Sequence, residues 1–373
     1  MGIYSINESA SAALRIAQAG ILVTSQNVAG TSIEGFSRRS ASTVMDALAP
    51  NSLMLNGSSF AVEGFTREYS SLIGAQLLNQ QAKSSHSETL VQYTSTIDSV
   101  IADKSAGLSS AITEFFNVLG NYAADPSNKA LAAAITGSAN VVSQRMTGIT
   151  TLVGQLKSDI ATGLNDTVRQ INTYLPALAD INLRILKGNS PGNTAPSADL
   201  LDERDRILTN LQKLVGGQSL INKDGTGTQL VAGLPLVERG ISNKVSVNGD
   251  GKSIAVEFNR ANPSGGQVMQ TIQTVDGGQA GALLKMANEF IPKMEQRLNT
   301  TALALVKIAN EAGQTSSTSP TTVAIFGFKV GSNTYSSVDT DSADPTGLIP
   351  TLANEADMAS LYNSVGQSNS ALV

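Results

Sequence analysis

The sequence predicts a mainly α chain with a β insert: an elongated antiparallel helical bundle, an amino-terminal helix and a small antiparallel β-domain. Three observations predict it. From Ile135 to Ile185 apolar residues recur every three or four positions, a single long helical face. Across 218–275 the period drops from 3.6 to 2, and turn residues punctuate it. The first 33 residues carry only two full charges, Glu8 and Arg15, among small and aliphatic side chains.

The amino-terminal stretch reads as a helix from about Tyr4 to Ala29, stopped by Gly30 and then Gly35. Ile3, Ile6, Ala10, Ala13, Ala17 and Gly20 form one stripe, and Leu14, Ile21 and Val28 form a second beside it. A helix with two such faces can pack closely on two sides, and a lone surface helix needs one. The expectation is contact with other chains. Residues 36–70 follow as an extended or hairpin arm: Pro50, Asn51, Asn56 and Gly57 are turn formers, and Phe60 to Phe65 alternates like a strand.

Helical spacing returns at Ser71 and ends before Gly107, with Leu90, Tyr93, Ile97 and Val100 on one stripe. Leu108, Ile112, Phe115, Phe116, Leu119 and Tyr122 mark a shorter amphipathic helix. Asp125 is then placed to cap the long helix, with Pro126 at its first position. Pro176 should kink or break that helix near Asn172–Thr173. A Pro- and Gly-containing loop, 188–196, leads to a helix capped by Ser197, with Leu200, Leu201, Ile207, Leu208, Leu211 and Leu214 on its apolar face. On its other side Asp202 and Arg206 form an i,i+4 pair, and Gly216-Gly217 ends it. Strands are expected near 219–222, 228–231, 244–247, 253–256 and 268–272, with hairpin turns at 223–227 and 248–251. A helix from Gly281 to about Ala312, a strand within 322–330 and a polar tail to Val373 complete the chain.

These elements divide the chain into residues 1–35 (amino-terminal helix), 36–70 (arm), 71–215 completed by 279–313 (helical bundle), 216–278 (β-domain) and 314–373 (polar carboxy-terminal region).

Composition excludes several function classes. Only 15% of the 373 residues are charged, against a usual quarter, and 41% are apolar. Few charges need desolvation where such a surface meets identical copies. Net charge is −5 with no basic cluster, so no nucleic acid partner is expected. There are no cysteines, which removes disulfides, thiolate metal sites and thiol nucleophiles. His86 is the sole histidine and is read as a packed or surface polar group. No Walker loop, G-x-G-x-x-G, G-x-S-x-G or H-E-x-x-H is present. Asp199, Asp202, Glu203 and Asp205, interleaved with Arg204 and Arg206, read as a solvated charged face. Asp339 to Gly347 lacks the ligand spacing of a calcium loop. No stretch reaches membrane-span length, and the amino terminus has no basic n-region. No catalytic residue, cofactor, metal or membrane contact is expected.

The run Ser25 to Arg39, with Asn27-Val28-Ala29-Gly30 and Gly35-Phe36-Ser37-Arg38-Arg39, resembles the amino-terminal signature of flagellar axial proteins. Val62 to Arg67 with Gln76-Leu77, Gly107 to Asn128, Asp199 to Leu208, Gly278 to Leu284 and Ile308-Ala309-Asn310 resemble motifs of the hook-associated protein 1 family, the first hook–filament junction proteins. The likeness covers about residues 1–313. It implies a structural subunit of the bacterial flagellum, exported through the type III channel, that joins hook to filament as a short ring of the axial tube. It implies these partners: identical subunits, the hook protein, the second hook–filament junction protein and a flagellar export chaperone. Ile3, Ile6, Ala10, Ala13, Leu14, Ala17, Ile21, Asn27, Val28, Ala29, Gly35, Phe36, Ser37 and Arg38 would form its subunit interface. Residues 1–33 would order on packing against neighbours.

Two departures from the family's pattern stand out. Glu311 follows Asn310 where a His is usual, and the final residues SLYNSVGQSNSALV lack the family's apolar terminal helix. The amino-terminal helix is therefore expected to be exposed, mobile or held in a non-native contact in the isolated chain. Two alternatives remain: another axial subunit (hook or distal rod), which would be β-rich by circular dichroism, and a flagellum-associated carboxylate hydrolase.

Overall fold

A computed structural model describes the chain apart from residues 1–2, 34, 47–58, 102–106, 126, 189–196, 262–266, 313–325, 331–332, 336–347 and 351–373. In chain order it has α1 (Ile3–Gly30), β1 (Arg39–Asp46), β2 (Ser59–Arg67), α2 (Ser71–Ile101), α3 (Leu108–Ala124), α4 (Lys129–Gly188) and α5 (Ala198–Val215). Then come β3 (Gln218–Ile221), β4 (Gly227–Val231), β5 (Leu234–Glu238), β6 (Ile241–Ser242), β7 (Lys244–Val247), β8 (Ile254–Ala261) and β9 (Gln267–Ile272). α6 (Gly278–Lys285), a π-helical turn (Met286–Phe290), α7 (Ile291–Ala312), β10 (Phe326–Val330), β11 (Asn333–Tyr335) and β12 (Leu348–Pro350) follow. The expected class, mainly α with small antiparallel sheets, is observed. The calcium-like segment 339–347, the terminal residues after 350 and the tip of the arm lie outside the described residues.

Two compact units divide the chain: residues 1–88 with 164–284, and residues 89–163 with 285–373. In the second, the stripe of α4 through Ile135, Val142, Met146, Val153 and Ile160 is buried, as are Leu298, Ala302 and Leu305 of α7. Phe115 of α3 is wholly buried and meets Phe326 of β10 edge-to-face, ring centroids 5.2 Å apart. The cap of α4 is not Asp125 but Asn128, whose Oδ1 accepts the Ala130 N–H at 3.0 Å. Asp125 instead follows the last turn of α3 and accepts from Ser127 Oγ at 2.8 Å. The helix starts at Lys129, so the capping position falls next to it.

The first unit holds the amino-terminal elements and the β-domain. The β-domain has two sheets, one ordered β3-β4-β5-β6 and one ordered β7-β8-β9, all antiparallel. β5 and β6 were not expected from the sequence. Pro235 sits in β5, and β6 is two residues long, so neither shows an alternating run.

Of the kink or break expected near Asn172–Thr173, the break is absent: α4 runs through Pro176. Proline costs a helix interior about 3 kcal/mol. Beyond it Leu178, Ala179, Ile181 and Ile185 are all buried, each large one contributing roughly 1.5–3 kcal/mol, and burial wins. Two asparagines of α4 tie the β-domain to it. The Asn172 amide donates to Val245 O (2.7 Å), and its Oδ1 accepts from Val245 N (2.9 Å). Asn182, fully buried, donates to Gly227 O (2.8 Å) and Arg239 O (2.7 Å) and accepts from Gly227 N (2.8 Å).

Asn182→Ala therefore strands three backbone groups and is expected to destabilise by about 3 kcal/mol, read as a lower urea midpoint at unchanged slope. At the β3–β4 turn, hydrogen bonds from Thr226 hold the Asp224 carboxyl below its usual range. The stability advantage over Asp224→Asn should be full above the ordinary carboxylate pKa. It should fade as pH falls through the lowered value, as followed by thermal melts from pH 7 downward.

Candidate assembly surface and its mount

α1 packs against both strands of the β1–β2 hairpin. Ala19 and Val23 of α1 are buried, as is Gly30, which lies under Phe36. Ile3–Gly30, within the stretch expected to order on packing against neighbours, forms a helix that lies against the hairpin. Both stripes read from the sequence lie elsewhere on the helix. Leu14, Ile21 and Val28 are 59%, 71% and 68% exposed, and Ala10, Ala13, Ala17, Gly20 and Ala29 are exposed too. A shallow trough runs along this face, lined by Ala17, Gly20, Ile21, Thr24 and Val28. Ile3 and Ile6 belong to α1, and their side chains lie outside the described residues.

The motif Gly35 to Arg39 leaves α1 and enters β1. Asn27 holds its end: Nδ2 donates to Arg39 O (2.9 Å), and Oδ1 accepts from Arg39 N (2.8 Å). Gly35 has φ +85°, and a Cβ there would sit 3.1 Å from the backbone of α5 at Asp202 and Arg206. Only glycine allows that conformation and that approach without strain. Phe36 lies over Gly30, where a Cβ would fall 2.6 Å from the ring. Ser37 N donates to Asp202 Oδ1 at 3.3 Å. Arg38 points outward and pairs with Glu68 at 3.7 Å, both well exposed.

Arg39 and Arg67 face each other as register partners at the open end of the hairpin. Their side chains are 8% and 7% exposed. Like charges directly opposite are destabilising unless an anion lies between them. α5 supplies three, spaced three residues apart. Arg39 Nη2 reaches Asp199 Oδ1 (2.6 Å) and Asp202 Oδ2 (2.8 Å). Arg67 reaches Asp202 Oδ1 through Nε (2.8 Å) and Asp205 Oδ2 through Nη2 (2.6 Å). Arg67 Nη2 also donates to Ser37 Oγ at 2.8 Å. Asp205 Oδ1 then accepts from buried Arg204 (Nη2, 2.6 Å), which donates onward to Gly225 O in the β3–β4 turn.

Each hairpin arginine also covers a ring: Arg39 over Phe36 at 5.1 Å and Arg67 over Tyr69 at 5.0 Å. Tyr69 in turn lies against Gly74 in the first turn of α2, as Phe36 lies against Gly30 in the last of α1. Burial pulls the Arg39 pKa down, and the bonds to Asp202 and Asp199 outweigh it, so the guanidinium is held above its ordinary value. Burial, with Asp205 nearby, pushes the Tyr69 phenol up.

The acidic cluster of α5 is a solvated face only in part: Asp199 is 79% exposed and Glu203 and Arg206 are well exposed, whereas Asp202, Asp205 and Arg204 are not. Asp202 and Asp205 are 12% and 13% exposed and bind arginines from another part of the chain. Nor does Asp202 pair with Arg206: Arg206 pairs with Glu203 (Nε–Oε2, 2.9 Å), which holds the Glu203 carboxyl below its usual range. Arg39, Arg67 and the α5 carboxylates are the residues that sequence reasoning missed as partners. The available signal was two arginines ending a hairpin and three aspartates at spacing three, which share no local pattern. His86 is half-buried beside Gly281 of α6. Among the described residues no three or more of His, Cys, Asp and Glu are grouped to hold a metal ion, and no helix is long and apolar enough to cross a membrane.

The sequence family described as the flagellar hook-associated protein FlgK helical domain matches residues 94–320. The chain belongs to this family. Relatives agree with that FlgK assignment. Flagellar hook-associated protein 1 of Salmonella typhimurium is 28% identical over 314 residues, which is 82% of this chain and 56% of that protein. The protein of the same name from Escherichia coli is 26% identical over 315 residues, again 82% and 56%. This FlgK-family chain thus spans about half the length of these relatives. The structure titled the flagellar hook junction protein FlgK from Burkholderia pseudomallei aligns with a TM-score of 0.58 at 22% identity. The alignment covers 70% of this chain and 47% of that one, a likeness of fold.

Gly35→Ala should impose left-handed strain and push the motif off α5, at a cost of about 1–2 kcal/mol. The expected result is faster amide hydrogen exchange across 36–46, with α7 unchanged.

Proposed function

We propose that this chain is a structural subunit of the bacterial flagellum that joins hook to filament by contributing to a short ring of the axial tube. The observation that carries this reading is α1. One side is fixed by the hairpin, and Leu14, Ile21 and Val28 stand exposed on the chain alone. A contiguous apolar face of this kind marks a protein contact. Its occupant in this reading is the neighbouring copy of the chain, with Ile3, Ile6, Ala10, Ala13, Ala17 and Ala29 completing the surface. Asn27, Gly35, Phe36 and Ser37 serve it from behind by setting where α1 leaves the body, and Arg38 lies at its rim. The names of the FlgK relatives support the location, outside the cell at the hook–filament junction. The hook protein, the second junction protein and an export chaperone are its partners in this reading. The role is assembly and not catalysis. Export follows the type III flagellar route.

Leu14→Glu, Ile21→Glu and Val28→Glu together test it. The triple variant should melt as the parent does, because these positions are already in water. Expressed in a flagellated cell lacking its own hook-associated protein 1, the parent chain should retain filaments. The variant should leave bare hooks and release flagellin into the medium. Retained filaments with the variant would end this reading.

A further inference from the structure

We infer that Asp202 is the positioning residue of the assembly surface, the anion that locks α1 and the hairpin onto α5 as one piece. The inference rests on the reading of α1 as the assembly surface. Asp199 is reached by Arg39 and Asp205 by Arg67, whereas Asp202 is reached from both strands, through Oδ2 by Arg39 and Oδ1 by Arg67. The same Oδ1 accepts the Ser37 N–H, so Asp202 also holds the turn between α1 and β1. The attachment extends through Asn27, whose side chain grips the Arg39 backbone, to the end of α1.

The internal cohesion of each part is separate from this joint. The hairpin has its own ladder from Arg39↔Arg67 to Asp46↔Ser59. The body has its own core, with Leu208 and Leu211 wholly buried beneath the opposite face of α5. Removing the shared anion leaves two buried guanidinium groups facing each other with one carboxylate each, Asp199 and Asp205, and none between them, which is unfavourable. The cheapest relief is for the hairpin end to lift from α5 into water while ladder and core persist. The direction in which α1 is presented is thereby set by one carboxylate in a different part of the chain. A surface that must meet a neighbour at a fixed angle depends on that direction as much as on its own side chains.

The test uses the full chain with Asp202→Asn, which keeps shape and removes charge. Glu203→Gln on the same helix, whose partner is Arg206, is the control. The chain has no cysteine, so Thr43→Cys and Gln218→Cys, both exposed, take spin labels at the hairpin and on β3. Asp202→Asn should broaden the label distance distribution and raise amide exchange over 36–46 roughly tenfold to a hundredfold. Exchange in 171–185 and 207–215 should stay as in the parent, and Glu203→Gln should change neither reading. Arg67→Met, which keeps the contact with Tyr69, is the second variant should Asp202→Asn not fold, and should act in the same direction. Filament retention should fall with the loosened arm. An arm that stays as protected as the parent's overturns the inference. So does parallel loss of protection in the body, which would make Asp202 an ordinary stability residue, or full filament retention with a loosened arm. Retained filaments in the Leu14/Ile21/Val28 variant would instead end the assembly reading, and exchange and label distances would still decide whether Asp202 locks the arm.

Discussion

Two buried cations at facing positions of one hairpin are the constraint on which the amino-terminal half depends. Arg39 and Arg67 cannot both leave water without anions of fixed geometry, and α5 supplies them at Asp199, Asp202 and Asp205. Such a network contributes little net stability compared with a well-packed apolar contact, because desolvation offsets the attraction. Its effect is specificity. A slip of one residue in the hairpin would put the two arginines on opposite faces, so that only one could reach the carboxylates. The ion pairs thus choose one register, one seat on α5 and one exit direction for α1. Gly35 is required because the seat brings backbone against backbone. Phe36 and Tyr69 are required because each fills the space between an arginine and a helix glycine.

The consequence for α1 is a division of its surface. The hairpin takes the side of Ala19 and Val23 and leaves the richer apolar side in water. Covering Leu14, Ile21 and Val28 would contribute roughly 1.5–3 kcal/mol each. Repeated at every contact of an assembly, that supports association without the single chain having to be apolar throughout. The low charge of the segment fits the same need, since Glu8 and Arg15 are the only full charges among the side chains of residues 1–33.

The helices were legible in the sequence because burial imposes a period. The α4 stripe from Ile135 to Ile185 and the α5 stripe from Ile207 to Leu214 were read residue by residue and are buried. The hairpin turns at 223–227 and 248–251 carried their own chemistry. Pro176 misled because a local propensity was weighed without the burial beyond it. The α5 charges misled for a related reason. Spacing shows which side of a helix they share, and nothing local shows that Arg39 and Arg67 arrive from more than 130 residues away. Two stretches read as separate motifs, Gly35 to Arg39 and Asp199 to Leu208, are two halves of one contact.

A protein whose exposed apolar face invites association must restrict other ways of associating. Here polar groups do that work inside the first unit. β7 ends one sheet, and its edge would offer a free N–H and C=O to any passing strand. Asn172 takes both groups of Val245, as a neighbouring strand would. Asn182 does the same for Gly227, and Arg204 closes the β3–β4 turn through Gly225 O. The β-domain is thereby fastened to α4 and α5 by contacts that a second copy cannot easily copy, because each needs a helix side chain at a buried or half-buried position. Apolar burial supplies most of the energy of the unit, and these few amides and ion pairs decide which surfaces remain open. By that logic a lost amide on α4 and a lost carboxylate on α5 differ in kind. The first exposes a surface that should stay closed, and the second misdirects the surface that should stay open.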